Sequence, residues 1–550
     1  MPSANGEAVV RRQGGVGRRT VWISILTLAS RLLGMVREVV SAWLFGDSSA
    51  VYDAFLFAWR IPNLFRRFLG EGALATSLQS SLTEADAEGG DEAGAALFGA
   101  TVSLLARLLT VLCVVVMLAV WFAPDTFPGT DFLWLGPDPN AVRELTVRVM
   151  PFVIFVCLTA AAGGALNVRG HYSLPALGPV VLNLAWIATL VGLYASVGFE
   201  PPTEAEHLSL ARWLAWGVLV AGLLQLLVLL PALKRHALLA GRSVRAVATP
   251  EARAAARSVL RRSAPLALGA AVYQVNVMLD GVMAQSLLPT GGQTVHYLAN
   301  RVQQFPLALV AIAATTAVFP ALAALGQQRR FEDLRSLHDE TQRNVLFVAL
   351  PAAFGLAALA LPITSALFEG GSFGPEGVAR SAAALRVLAF AILPAGAVGL
   401  VARTYYAVGD FKTPVRVSCW MLAVNAVLNV VLIRGANMDA DGLALATTVT
   451  SFGNLFILVP GLRRRLGLPP GSAGFFGSLL RMAVAGLACG AAAAGTMTAL
   501  TERAGSWVAL LAAMVAGALA YAVVARLLGL AEWHAFASRI QGIRSKFGGN

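Results

Sequence analysis

Residues 21–46 read VWISILTLASRLLGMVREVVSAWLFG. That length crosses a bilayer as a helix, yet it carries Arg31, Arg37 and Glu38. A helix turns by about 100° per residue. Thr27, Ser30, Arg31, Gly34, Arg37, Glu38 and Ser41 then fall within an arc of roughly 120°. Leu28, Leu32, Met35, Val36, Val39 and Trp43 occupy the opposite side. One face suits lipid or protein; the other suits water or an anion. A central Arg in a membrane helix costs about 2.5–3.5 kcal/mol on insertion scales. Two on one stripe predict a polar cavity within a helical bundle.

Composition agrees with a membrane fold. The chain has 550 residues, 57% hydrophobic and 13% charged, with mean hydropathy +0.69. Long apolar runs predict an all-α polytopic membrane protein; a β-barrel would show short alternating segments. The net charge of +12 is assigned to loop arginines on the cytoplasmic side, not to nucleic acid. Cys113, Cys157, Cys419 and Cys489 lie in apolar segments without metal-like spacing and read as small core fillers.

Hydrophobic length predicts about fourteen transmembrane helices. Residues 1–20 are expected to be a disordered, basic cytoplasmic tail. An N-terminal lobe of six spans covers 21–233, and an amphipathic cytoplasmic linker covers 234–256 within a basic stretch reaching 262. A C-terminal lobe of six spans covers 257–461, two additional helices cover 474–529, and a cytoplasmic tail covers 530–550. Basic residues concentrate in alternate loops, which places both termini inside. The inside loop expected at 82–92, TEADAEGGDEA, dissents because it has no Lys or Arg. A weak repeat relates the lobes. Gly170-His-Tyr-Ser-Leu-Pro175 and Gly409-Asp-Phe-Lys-Thr-Pro414 share their Gly-to-Pro spacing and their place between two spans, and each has Asn downstream, Asn183 in one case, Asn425 and Asn429 in the other. Paired lobes predict a transporter with its site between them.

The second segment adds Asp53, Arg60, Arg66, Arg67 and Glu71, with Pro62 expected to kink the helix. Arg67 and Glu71, four apart, are expected to pair. A later span carries Arg301 beside Gln303 and Gln304, with Pro306 behind; Asp280 is a further buried acid. Arg31, Arg37, Arg66 and Arg301 outnumber Glu38, Asp53 and Asp280. Surplus guanidinium suits a phosphate, which Arg grips bidentately. Covalent chemistry is not expected: there is no paired-carboxylate metal spacing, His cluster or nucleophile–base pair. His171, His207, His236, His296, His338 and His534 are expected to be solvated.

These residues carry a resemblance. Ser30-Arg31-Leu-Leu-Gly34-Met-Val-Arg37-Glu38, Asp53-Ala-Phe, Arg60-Ile-Pro62-Asn63-Leu-Phe-Arg66-Arg67 and Glu71-Gly72-Ala are similar to the opening signature of the MurJ (MviN-type) lipid II flippases of the MOP superfamily. Asn300-Arg301, Gln304-Phe305-Pro306 and Asp410-Phe-Lys412-Thr-Pro414 resemble later family motifs. The resemblance implies two six-helix lobes plus two helices that form a groove for a lipid tail. It implies movement of lipid II, the undecaprenyl-pyrophosphate-linked peptidoglycan precursor, from the inner to the outer leaflet of the bacterial cytoplasmic membrane by alternating access. Arg31, Arg37, Arg66 and Arg301 would bind pyrophosphate. Glu38, Asp53, Glu71 and Asp280 would gate or balance charge, with Asp53 meeting Arg301 or Arg37 at the outer mouth. No cofactor or metal is implied; an ion gradient or the membrane potential would drive transport. Implied partners are lipid II, membrane lipids and the cell-wall synthesis machinery. The family often has acids where this chain has Asn300 and Gln304. Two rivals remain at this stage. One is another MOP-type exporter of a drug or lipid-linked oligosaccharide. The other is a polytopic glycosyltransferase using Asp125, Asp131 or Asp138.

Overall fold

The computed structural model describes residues 4–67, 73–126, 135–239, 249–315, 318–467 and 473–534. Its contacts divide the chain into two compact units, Met1–Ser286 and Leu287–Asn550.

In the first unit, α1 (Ala4–Phe45) and α2 (Ala50–Phe65) lead into α3 (Ala73–Trp121). They are followed by α4 (Pro139–Val149), α5 (Phe152–Val168), α6 (Ser173–Ser196), α7 (Glu204–Arg235) and α8 (Pro250–Leu287). Local signals set several starts. Ser49 caps α2 by accepting from the Tyr52 amide at 3.2 Å, and Asp138 caps α4 through the Ala141 amide at 2.9 Å. Thr203 and Glu206 form a reciprocal capping box on α7.

Two expectations are corrected by the helices of this unit. The head expected to be disordered is helical from Ala4; extending an existing helix avoids the cost of nucleation. The expected loop 82–92 belongs to α3, broken only at Gly90, whose φ is 67°. Acidic residues made it read as a loop, but they are paired: Arg169 bonds Asp86 at 2.9 Å and also bonds Asp91, while Arg262 reaches Glu84 at 3.2 Å. The acidic stretch therefore shares one end of this unit with arginines expected inside. The compact units divide after α8, one helix beyond the basic linker. The start of α8 packs Ala252 and Ala256 against Ala100 of α3, and Ser77 donates to the Val259 carbonyl at 2.9 Å.

The second unit contains α9 (Gly292–Thr315), α10 (Phe319–Gln327), α11 (Phe331–Ala358), α12 (Ala360–Phe368) and α13 (Pro375–Ala407). Then come α14 (Lys412–Val430, ending in a π-turn), α15 (Ala440–Arg465), α16 (Ala473–Ala504) and α17 (Ser506–Leu527). The chain bends by 69° between α11 and α12. Pro362 supplies a reason, since it cannot donate to the Ala358 carbonyl. The final helix pair is held to α11 by a core of Phe347, Leu350, Met482, Cys489 and Tyr521. The Tyr521 hydroxyl donates to the Phe347 carbonyl at 2.7 Å.

Among the described residues, nine helices are long and apolar enough to cross a membrane, or ten if the bent pair is one span. The charged helices α1, α8 and α9 and the short α2 are not among them. The chain is an all-α polytopic membrane protein.

The repeat is visible in the backbone. Gly170 and Gly409 have φ of 82° and 80°, a conformation glycine adopts without a Cβ penalty. The following amides close the same helix-ending bond: His171 to the Leu166 carbonyl and Asp410 to the Tyr405 carbonyl, each at 2.9 Å. Pro175 and Pro414 then lie in the first turn of α6 and α14.

Candidate functional site

The stripe on α1 divides as its periodicity predicts. Gly34, Arg37, Glu38 and Ser41 are buried, while Leu28, Leu32 and Val36 are exposed. Thr27 departs from the pattern: it is exposed and bonds the Ile23 carbonyl in its own helix.

Arg37 is the centre of the buried part. It forms an ion pair with Glu38 and donates to Asn183 Oδ1 at 3.2 Å. Its guanidinium carbon lies 4.4 Å from the centroid of the Trp186 ring. Asn183 donates in turn to the Ser30 carbonyl at 2.9 Å. Thus α6 grips the polar stripe of α1 at two levels. Glu38 is the counter-charge of Arg37. Trp186 was not legible as a partner; its only signal is that it follows Asn183 by three residues on the same helix face. An aromatic cluster supports this corner: Trp186 meets Trp59 at 4.7 Å and Phe55 at 6.1 Å, edge to face.

Arg31 is half-buried on the same stripe. Asp53 lies in the first turn of α2 and is only 3% exposed, so it does not face headgroup water. A helix N-terminus favours a carboxylate there. Arg60 crosses to α8 and donates to the Val277 carbonyl at 3.3 Å. It lies over Gly281, where an added Cβ would meet Arg60 Cδ at 2.6 Å. Asp280 is the adjacent residue and is buried. Arg66 ends α2 just past Pro62, half-buried, and its Nε donates to Asn63 Oδ1 at 3.1 Å. Glu71 lies outside the described residues, as does any pair it forms with Arg67.

The second unit holds Arg301 on α9, half-buried. Gln304 donates to Asn300 Oδ1 at 3.1 Å on the same face, and Gln303 anchors α9 to α13 through the Leu388 carbonyl at 2.8 Å. The two residues that stand where the family often has acids bond each other and bring no negative charge to Arg301.

Other expected roles change. His207, His296 and His338 are buried, not solvated; His338 Nδ1 lies 2.8 Å from Thr404 Oγ1. Cys113, Cys157 and Cys489 are buried fillers, whereas Cys419 is exposed. Of the acids a glycosyltransferase would need, Asp125 pairs with Arg143 and Asp138 caps α4; Asp131 lies outside the described residues. Among the described residues, no group of three His, Cys, Asp or Glu side chains is placed to hold a metal ion.

The fold is shared with membrane transporters of known structure. A lipid II flippase MurJ in its inward closed conformation superposes with a TM-score of 0.71 at 19% identity, covering 92% of this chain and 98% of that one. A multidrug resistance MATE transporter in an inward-facing conformation gives 0.64 at 12% identity over 80% of this chain and 94% of its own. At these identities the likeness is one of fold. The family model described as lipid II flippase MurJ matches residues 41–516. The probable lipid II flippase MurJ of Bdellovibrio bacteriovorus is 34% identical, covering 81% of this chain and 83% of that protein. The lipid II flippase MurJ of Burkholderia cenocepacia is 32% identical over 82% and 84%. The chain belongs to the lipid II flippase MurJ family.

Proposed function

We propose that this protein is a flippase that moves lipid II from the inner to the outer leaflet of the bacterial cytoplasmic membrane by alternating access, without covalent chemistry. Family membership over most of the chain carries this reading. The surplus of guanidinium over carboxylate on the helices that bear the signature residues supports it.

Arg31, Arg66 and Arg301 are half-buried and are assigned to the pyrophosphate. Arg37 is assigned a second role beside binding. Its bonds to Glu38 and Asn183 hold α1 against α6, and a pyrophosphate would compete with Glu38 for the same guanidinium. Substrate binding would then favour one arrangement of α1 over another, the differential interaction that a conformational cycle requires. Asp53 and Asp280 balance charge on α2 and α8. The pair α16–α17 is assigned to the lipid tail; Leu480, Leu487, Leu511 and Leu519 are exposed on it. Both termini are assigned to the cytoplasm, with an ion gradient or the membrane potential as driving force. Cell-wall synthesis enzymes would consume the product.

The test is growth. The chain expressed in a bacterium depleted of its own lipid II flippase should sustain division; lysis despite normal membrane insertion would reject the proposal.

A further inference from the structure

A second cluster of arginines lies away from the signature residues. The end of α3, α4, the start of α5 and the first half of α7 enclose an open groove of about 1110 Å³. Three guanidinium groups line it: Arg143, Arg148 and Arg212. Two carboxylates answer them. Glu144 receives Arg212 through both nitrogens, at 2.5 and 3.0 Å, and Arg148 at 2.8 Å. Asp125 pairs with Arg143 but is 57% exposed. Arg143 is the most enclosed cation, its side chain 16% exposed, and it also donates to the Ala123 carbonyl at 2.7 Å. Its Nε is buried and has no hydrogen-bond partner. Among the described residues of this cluster, three guanidinium groups meet two carboxylates.

The rest of the groove is apolar. Phe155, Val220 and Leu223 line it next to the arginines, and Trp121 and Trp216 flank it. Val220, Trp216 and Trp121 are 53%, 52% and 52% exposed. Trp and Arg at a helix end mark the membrane–water interface. Arg143 lies near the start of the span Pro139–Val168, and Arg169 follows its end, so the groove is at the opposite end of this unit from the Arg169–Asp86 cluster.

We propose that this groove binds an anionic phospholipid, with its phosphodiester on Arg143 and Arg212 and an acyl chain along Phe155, Val220 and Leu223. Guanidinium matches phosphate geometry and forms charge-assisted bonds. A diffusible anion would satisfy the arginines but leave the apolar trough without an occupant; a phospholipid fills both. With the termini inside, as proposed above, the lipid belongs to the outer leaflet. Binding would not depend on lipid II, so loss of this site leaves the flippase reading intact.

The experiment uses the full chain in uncharged detergent. Thermal unfolding is followed while phosphatidylglycerol or phosphatidylcholine of the same acyl chains is added. Phosphatidylglycerol should raise the midpoint more and bind roughly tenfold more tightly by native mass spectrometry, because phosphatidylcholine carries the same phosphodiester beside an ammonium that the arginines repel. Arg143→Gln with Arg212→Gln should remove that preference. Val220→Trp, which fills the trough and leaves every ion pair intact, should weaken both lipids while the lipid-free midpoint is kept; it is decisive alone if the arginine variant does not fold. Equal response to the two lipids, or full preference in both variants, overturns the proposal. So does an equal midpoint shift from inorganic phosphate alone, which would assign the arginines to a water-borne anion.

Discussion

Arg37 and Trp186 stack as cation on ring at 4.4 Å, although they are far apart in sequence and belong to different helices. The contact joins the polar stripe of α1 to α6 and fixes which way that stripe turns. A buried Arg is tolerable here because Glu38 neutralises it, Asn183 bonds it and an aromatic face covers it.

Truncating one partner should therefore cost more than removing the pair. Arg37→Ala removes the guanidinium that bonds the buried Glu38, a loss of about 3–5 kcal/mol by analogy with broken buried pairs. Arg37→Ala combined with Glu38→Ala should recover much of it. Thermal midpoints in detergent for the two single variants and the double give the coupling. Additive losses would mean that the pair is not the unit described.

Gly281 should resist substitution because of Arg60. A methyl group there displaces the guanidinium from the Val277 carbonyl, an overpacking cost of roughly 1–3 kcal/mol. Arg60→Ala should make Gly281→Ala nearly harmless to the melting midpoint. A defect of the same size in the double variant would trace the intolerance to something else.

Acidification should loosen the end of the first unit that bears Arg169. The His236 ring stacks obliquely on His171 with centroids 4.4 Å apart. Burial first, then His171, Arg235 and Arg169, push its pKa below the ordinary 6.5, against a smaller opposing pull from Asp91. The folded state thus prefers neutral imidazole. That stability is present above about pH 6.5 and is lost as pH falls below it, because the unfolded chain takes the proton more readily. Melting midpoints should drop through that window, and His236→Gln should flatten the drop. An unchanged slope would remove His236 from the effect.

Orientation follows from the paired loops. Arg262 and Arg169 share one end of the first unit with the acidic turn of α3, and that end is assigned to the cytoplasm. In a variant lacking the four native cysteines, Arg245→Cys should stay unlabelled by an impermeant thiol reagent in intact cells and react once they are opened. Ready labelling of intact cells would invert the topology.

The sequence revealed what depends on helical period. The buried stripe of Gly34, Arg37 and Glu38 and the exposed Leu28, Leu32 and Val36 follow from 3.6 residues per turn. The shared helix endings at Gly170 and Gly409 were legible because glycine and proline punctuate the backbone. Partners across the fold were not. Nothing local to Arg37 names Trp186, and nothing local to Arg60 names Val277 or Gly281. Acidic composition misled at 82–92, since the cations that allow a helix there lie on α8 and after α5. Histidines near span ends looked solvated, yet packing decides their burial. Nothing local to Arg143, Arg148 and Arg212 indicates that the fold collects them around one groove.

The central claim is that this chain carries lipid II across the membrane through its signature arginines. Its most direct test measures how much lipid II an externally added, lipid II-cleaving enzyme can reach in flippase-depleted cells. Expression of the chain should restore cleavable lipid II and growth together. Arg301→Ala should insert normally and restore neither, and Arg301→Lys should do so poorly because a point charge lacks the planar fork. Lipid II that stays inaccessible with the protein inserted, or full activity in Arg301→Ala, Arg31→Ala and Arg66→Ala alike, would contradict the account.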